Sequence, residues 1–123
     1  LNYIKYLDGV LADDFLQMHN SLWGDWLSFP GEFYLKKLEV DLIDFQTTEG
    51  FDLIYFDAFA PDKQPELWSE EVFNLCYQIL KTAGVLVTYS AKGVIKRRLK
   101  HVGFEVETLP GPPGKREMIR ALR

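Results

Sequence analysis

Apolar residues in this chain follow two periods, and the change from one to the other marks out an α/β fold. Residues 51–56 (FDLIYF) form a short, nearly continuous apolar run, the pattern of a strand covered on both faces by helices. Residues 85–89 (VLVTY) form a second such run. Between them, residues 69–81 switch to helical spacing, with Val72, Phe73, Leu75, Cys76, Ile79 and Leu80 on one face. Ser69 is placed to cap that helix, Glu70 and Glu71 suit its positive first turn, and Thr82, Ala83 and Gly84 end it. Strand, helix and strand of these lengths make a βαβ unit with parallel strands. A second helix is predicted over residues 91–102 with Gly103 as its stop, followed by a strand over residues 104–109 whose alternation with Glu105 and Glu107 leaves one face in water. The loop Pro110-Gly111-Pro112-Pro113-Gly114 is too short for a crossover, so the last strand, residues 117–122, must return antiparallel.

The first third of the chain is patterned less clearly. Leu1, Ile4 and Leu7 recur like the tail of an amphipathic helix, and the lack of an initiator Met suggests a fragment of a longer chain. A helix is predicted over residues 13–26, with Gly24 interrupting it, and Phe29-Pro30-Gly31 reads as a turn. His19 lies beside a Trp-rich face, where packing explains it without a chemical role. Residues 32–44 are a strand candidate whose phase changes at Lys36 and Lys37 predict a bulge or an early end.

Composition narrows the picture. The chain has 123 residues, 47% hydrophobic and 15% aromatic, which is enough for one globular domain at most. No apolar run approaches the ~20 residues that span a bilayer, so a soluble cytoplasmic protein without a membrane partner is expected. A single cysteine, Cys76, excludes an internal disulfide and a cysteine-rich metal site. The net charge of −4 conceals an asymmetry: residues 1–91 carry 5 Lys/Arg against 15 Asp/Glu, and residues 92–123 carry 9 against 3. A local basic face is what nucleic-acid binding requires, and the last third of the chain is able to supply one. The more usual reading of such a charge run is a solvated face.

Candidate chemistry gathers where the first apolar strand ends. Ligands of open α/β sheets bind beyond the carboxyl ends of the strands, and Asp57 stands there. Pro61 and Pro65 hold the residues before them extended and keep the following loop open, and Lys63 and Trp68 add a cation and a large ring. The stretch DAFAPDKQPELW, residues 57–68, resembles the D-x-F-A-P-x-K-x-P-x-x-W signature of the methyltransferase domain that completes 5-methylaminomethyl-2-thiouridine at the tRNA wobble position. Two further stretches are similar to that family: Thr88-Tyr89-Ser90, and Gly114-Lys115-Arg116-Glu117-Met118. The resemblance covers the chain from its middle to its end.

The resemblance implies a Rossmann-like class I methyltransferase sheet, S-adenosyl-L-methionine as cofactor and tRNA as partner. It implies that Asp57 orients the acceptor amine, the proton leaving through water, because a carboxylate that stabilises the ammonium opposes deprotonation. Asp57, Ala58 and Pro61 would border the cofactor. By order along the chain, Asp41 matches the acid that holds the adenine amino group, although a cap on a helical turn over residues 42–46 explains it equally well. Lys63, Tyr89, Ser90, Lys115, Arg116 and Glu117 would face the tRNA. Trp68 either stacks on a base or fills the core beneath the loop, and the core is favoured.

The sequence departs from the family where the cofactor is normally held. No G-x-G occurs in it, so the glycine-rich turn after the first strand is absent. The expectation is a single methyltransferase-like domain fragment over residues 1–123, incomplete at the N-terminal side and inactive by itself. Its exposed strand edge would be prone to self-association. Two other functions compete: an aminopropyltransferase of the spermidine-synthase type, for which the basic C-terminal third is ill suited, and a non-catalytic RNA-binding or interaction remnant. Isothermal titration of these 123 residues with S-adenosylmethionine is expected to show weak binding or none; a micromolar dissociation constant would contradict the fragment reading.

Overall fold

The computed structural model of this protein describes residues 8–114 and 117–123. The helical tail read on Leu1, Ile4 and Leu7 lies outside the described residues, as do Lys115 and Arg116. The contacts of the chain divide it into two compact units, separating after Val40. Among the described residues no helix is long and apolar enough to cross a membrane.

The first unit holds helix α1 (Gly9–Asn20) and the antiparallel hairpin of β1 (Trp26–Phe29) and β2 (Phe33–Lys36). The predicted helix over residues 13–26 therefore starts earlier and stops sooner. Gly24, at φ 87°, turns the chain, and Trp26 enters a strand instead. Lys37 explains the stop, because its Nζ donates to the carbonyls of Ser21 (2.8 Å) and His19 (3.2 Å) at the helix's negative end. The strand expected over residues 32–44 ends at Lys36, and Asp41 caps a 3-10 turn at Leu42–Asp44 by accepting from the Ile43 N–H at 3.2 Å.

The second unit is a four-stranded sheet with two helices. Its strands are β3 (Phe51–Phe56), β4 (Leu80–Thr88), β5 (Glu105–Pro110) and β6 (Glu117–Leu122), in the order β3-β4-β6-β5. β3 and β4 are parallel, and β6 lies antiparallel between β4 and β5. This is the α/β fold with a closing antiparallel hairpin that the periodicity predicts, and β3 forms its edge. Helix α2 (Glu70–Ile79) is capped by the Ser69 hydroxyl, which accepts from the Val72 N–H. Gly84 is required by close approach, since a Cβ there would sit 2.8 Å from the Lys81 carbonyl oxygen. Ala83, at φ 63°, is left-handed within β4, in the stretch where its pairing with β3 skips from Leu80 to Val85.

α2 and helix α3 (Gly93–Val102) pack against each other and against the sheet. Val72, Phe73 and Cys76 of α2 and Ile95 and Leu99 of α3 meet Phe56, Leu86, Ile119 and Ala121 in one core. These strand residues share one face of the sheet. Leu53 and Tyr55 point to the other and are 42% and 78% exposed. The expectation that β3 is covered on both faces is therefore corrected, because in this unit both helices pack on the same face. His101 on α3 lies 2.9 Å from Glu70 at the start of α2; that hydrogen bond and the carboxylate's charge push the imidazole upward. Burial pushes the Cys76 thiol up to about 12. The thiol should thus react with a disulfide reagent such as Ellman's only as fast as the core opens; prompt modification in native buffer would contradict this packing.

Candidate active site

The last paired residues of β3 and β4 are Phe56 and Thr88. One step further on come Asp57 and Tyr89, so two parallel neighbours deliver a carboxylate and a phenol side by side at the same end of the sheet. Asp57, Ala58, Phe59, Ala60, Gln64 and Tyr89 line a crevice of about 500 Å³. The Asp57 side chain is exposed within it. A second, apolar groove of about 400 Å³ runs along β3, walled by Leu42, Phe45, Phe51, Leu53 and Leu67 among others. Asp57 and Ala58 line both hollows, and among the described residues Asp57 is the one carboxylate in either.

The loop between Asp57 and α2 is held at successive carbonyls. Tyr89 donates its hydroxyl to the Ala58 carbonyl at 2.8 Å, and the Trp68 indole N–H donates to the Phe59 carbonyl at 2.8 Å. The Ala60 carbonyl accepts from the N–H groups of Lys63 (2.7 Å) and Gln64 (3.0 Å). Trp68 itself is fully buried at the end of the 3-10 turn Pro65–Trp68, edge-on to Phe56 and Tyr89 at centroid distances of 5.1 and 5.8 Å. Arg98 of α3 donates to the Trp68 carbonyl at 2.8 Å, and Lys92 pairs with Asp62 at 2.7 Å. Of the two readings for Trp68, the structure takes the core.

The structure brings together some of the residues singled out in the sequence and disperses others. Asp57, Ala58 and Tyr89 share the crevice. Ser90 is buried, while Pro61 and Lys63 lie on the loop away from the crevice lining. Asp41 caps its turn and lines neither hollow. Glu117 pairs with Lys96 of α3 at 3.3 Å. Lys115 and Arg116 lie outside the described residues. The basic helix is less free than its sequence implies, since Lys92, Lys96 and Arg98 each bind groups of this same unit. Phe59 and Gln64, which line the crevice, and Arg98, which holds Trp68, were not singled out. A loop residue reveals its direction only through its backbone, and the one clue to Phe59 was its place in the signature.

A family described as S-adenosyl-L-methionine-dependent methyltransferase matches residues 17–123. The chain belongs to that family. It is 41% identical over 69 residues to the tRNA 5-methylaminomethyl-2-thiouridine biosynthesis bifunctional protein MnmC of Azoarcus sp., covering 56% of this chain and 11% of the relative. The protein of the same name from Nitrosospira multiformis is 30% identical over 100 residues, covering 80% of this chain and 16% of the relative. Among solved structures, that of MNMC2 from Aquifex aeolicus is similar with a TM-score of 0.71 and 26% identity, covering 90% of this chain and 36% of that one. The chain thus spans only a small part of the length of these relatives, and it brings to the methyltransferase family the strand end and loop that form the crevice.

A cofactor can be set against the hollows. The apolar groove beside β3 suits a flat ring and a thioether-like carbon chain, with Leu53, Tyr55 and Ala58 as walls and Asp57 at its end. Ribose hydroxyls and an amino-acid head need more polar partners, and the groove's lining holds no second carboxylate and no glycine. These residues therefore fit one side of S-adenosylmethionine.

The clamp makes a testable demand on dynamics. Trp68→Phe keeps the core ring but removes the donor to Phe59, so amide exchange at Lys63 and Gln64 should speed up about fivefold or more, the effect of losing a bond of ~1 kcal/mol. Unchanged exchange measured by NMR would show that the indole bond does not hold the loop.

Proposed function

We propose that this chain forms the acceptor side of an enzyme that transfers a methyl group from S-adenosylmethionine to the aminomethyl nitrogen of a wobble-position 5-aminomethyl-2-thiouridine in tRNA. The observation that carries this reading is Asp57, exposed at the end of β3 and shared between the apolar groove and the Tyr89 crevice. Methyl transfer at carbon is an in-line displacement, so donor and acceptor must approach from opposite sides of the moving group. Two hollows meeting at one carboxylate suit that geometry. When bound, the cofactor supplies an electrophilic methyl on a sulfonium. Leu53, Tyr55 and Ala58 would wall its near side, and the nucleoside would enter beside Tyr89.

Asp57 accepts a hydrogen bond from the amine in this reading and aims its lone pair, and the amine's proton leaves to water. The carboxylate positions the acceptor more than it deprotonates it. By the family signature, Lys63, Ser90, Lys115, Arg116 and Glu117 would take part in tRNA binding, Pro61 would border the cofactor with Asp57 and Ala58, and Asp41 would contact the adenine. The names of the relatives support tRNA as the partner, and a cytoplasmic location would follow from that substrate. The open edge of β3, with Leu53 and Tyr55 bare beside it, supports a domain completed by further strands and a tendency to self-associate when they are missing.

The test is methyl transfer by the intact protein from labelled cofactor to undermodified tRNA. Asp57→Asn should lower kcat by about a hundredfold or more, the scale of one misplaced orienting group, with circular dichroism and melting unchanged. Full activity in Asp57→Asn would remove this residue from the reaction, and no transfer to tRNA by the unaltered protein would remove the reaction.

A further inference from the structure

Phe59 carries its ring 77% exposed to solvent, although its backbone is among the most restrained of the crevice. Three successive carbonyls are bonded: that of Ala58 to the Tyr89 hydroxyl, that of Phe59 to the Trp68 indole, and that of Ala60 to the Lys63 and Gln64 amides. The bare ring is therefore fixed at its base. Leu53 and Tyr55 are exposed for another reason, since they lie on the open face of the sheet. Phe59 lies past the strand end, lining the same 500 Å³ crevice as Asp57 and Tyr89. That volume is of the size that encloses one nucleoside.

An exposed apolar ring on a tethered backbone beside a carboxylate is complementary to a ligand that combines a flat ring with a hydrogen-bond-donating cationic arm. An aminomethyl pyrimidine is such a ligand: with its ring face on Phe59, its amine is directed toward Asp57. A base still stacked in its RNA has no free face to offer, so the target must leave the stack to enter. Building on the proposed function, we propose that Phe59 is the platform on which the unstacked target pyrimidine lies, and so a specificity-determining residue. Its clamp to Trp68 and Tyr89 sets the ring's place before RNA arrives, which reduces the ordering cost of binding.

The experiment is a thermodynamic cycle on the intact protein. Binding is measured at fixed salt for anticodon stem–loop RNAs carrying either uridine or an abasic nucleotide at the wobble position, with the unaltered protein and with Phe59→Ala, Phe59→Trp and Phe59→Leu. Removing one base–aromatic stack weakens binding by roughly five- to a hundredfold. Phe59→Ala should cost that much with the uridine RNA and less than twofold with the abasic RNA. Phe59→Trp should bind like the unaltered protein, whereas Phe59→Leu, apolar but lacking a π face, should not. Equal losses with both RNAs, or full rescue by leucine, would show that the ring packs on protein or only adds apolar contact. That result would overturn the platform while leaving methyl transfer to tRNA in place. Failure of the unaltered protein to bind the uridine RNA better than the abasic one would overturn the platform and weigh against the tRNA reading too.

Discussion

A buried indole that must satisfy its one polar group sets the shape of the crevice. Trp68 has no access to solvent, and an indole N–H without a partner inside a core costs about 1–3 kcal/mol. The nearest solution is the carbonyl of Phe59, nine residues earlier, and making that bond folds the loop back over its own end. Everything exposed at the crevice follows: the backbone at residues 58–60 is tied down, so Asp57 and Phe59 are held outward while Trp68 turns inward. The aromatic contacts of Trp68 with Phe56 and Tyr89 link the loop to the ends of β3 and β4. The catalytic candidate and the core are thus consecutive parts of one packing arrangement.

The basic helix α3 belongs to the same arrangement. A run of Lys92, Lys96, Arg97, Arg98 and Lys100 invites an interpretation as a phosphate surface, yet Arg98 reaches the Trp68 carbonyl and Lys92 reaches Asp62. The guanidinium bond is partly buried and aligned with a carbonyl left over at the end of a 3-10 turn, so it acts as a cap for the loop. The Lys92–Asp62 pair is exposed on both sides and contributes little by itself, of the order of 0–1 kcal/mol. Positive charge that braces the loop is partly neutralised toward nucleic acid. Arg97 and Lys100, both exposed, make no ion pair among the described residues.

The open side of β3 gives the second unit an unequal pair of faces. One side of the sheet is closed by α2 and α3; the other leaves Tyr55 and Leu53 in water, and among the described residues the strand's outer edge has no neighbour in the sheet. Apolar side chains and unpaired backbone groups in that position call for a covering layer. The groove that fits one side of the cofactor lies along this edge.

The sheet strands, both helices after residue 69, the antiparallel return at β6 and the position of Asp57 at a strand end were all legible along the chain. Each is governed by local rules: apolar period, capping by Ser69, the stop at Gly103, and a loop too short for a crossover. Four features depended on three-dimensional packing. Leu53 and Tyr55 are bare because both helices chose one face, and no period along β3 encodes where a distant helix will lie. Lys92 and Arg98 turned back to Asp62 and the Trp68 carbonyl because the fold brings α3 beside the loop, and α1 ended at Asn20 where Lys37 takes the carbonyls of His19 and Ser21. The burial of Trp68 was favoured from the sequence, but the outward ring of Phe59 was settled by the hydrogen bond that its carbonyl accepts from Trp68, nine residues on. Periodicity reports which side chains share a face; it carries no information about which of two aromatic rings the core will take when only one position can bury an N–H with a partner.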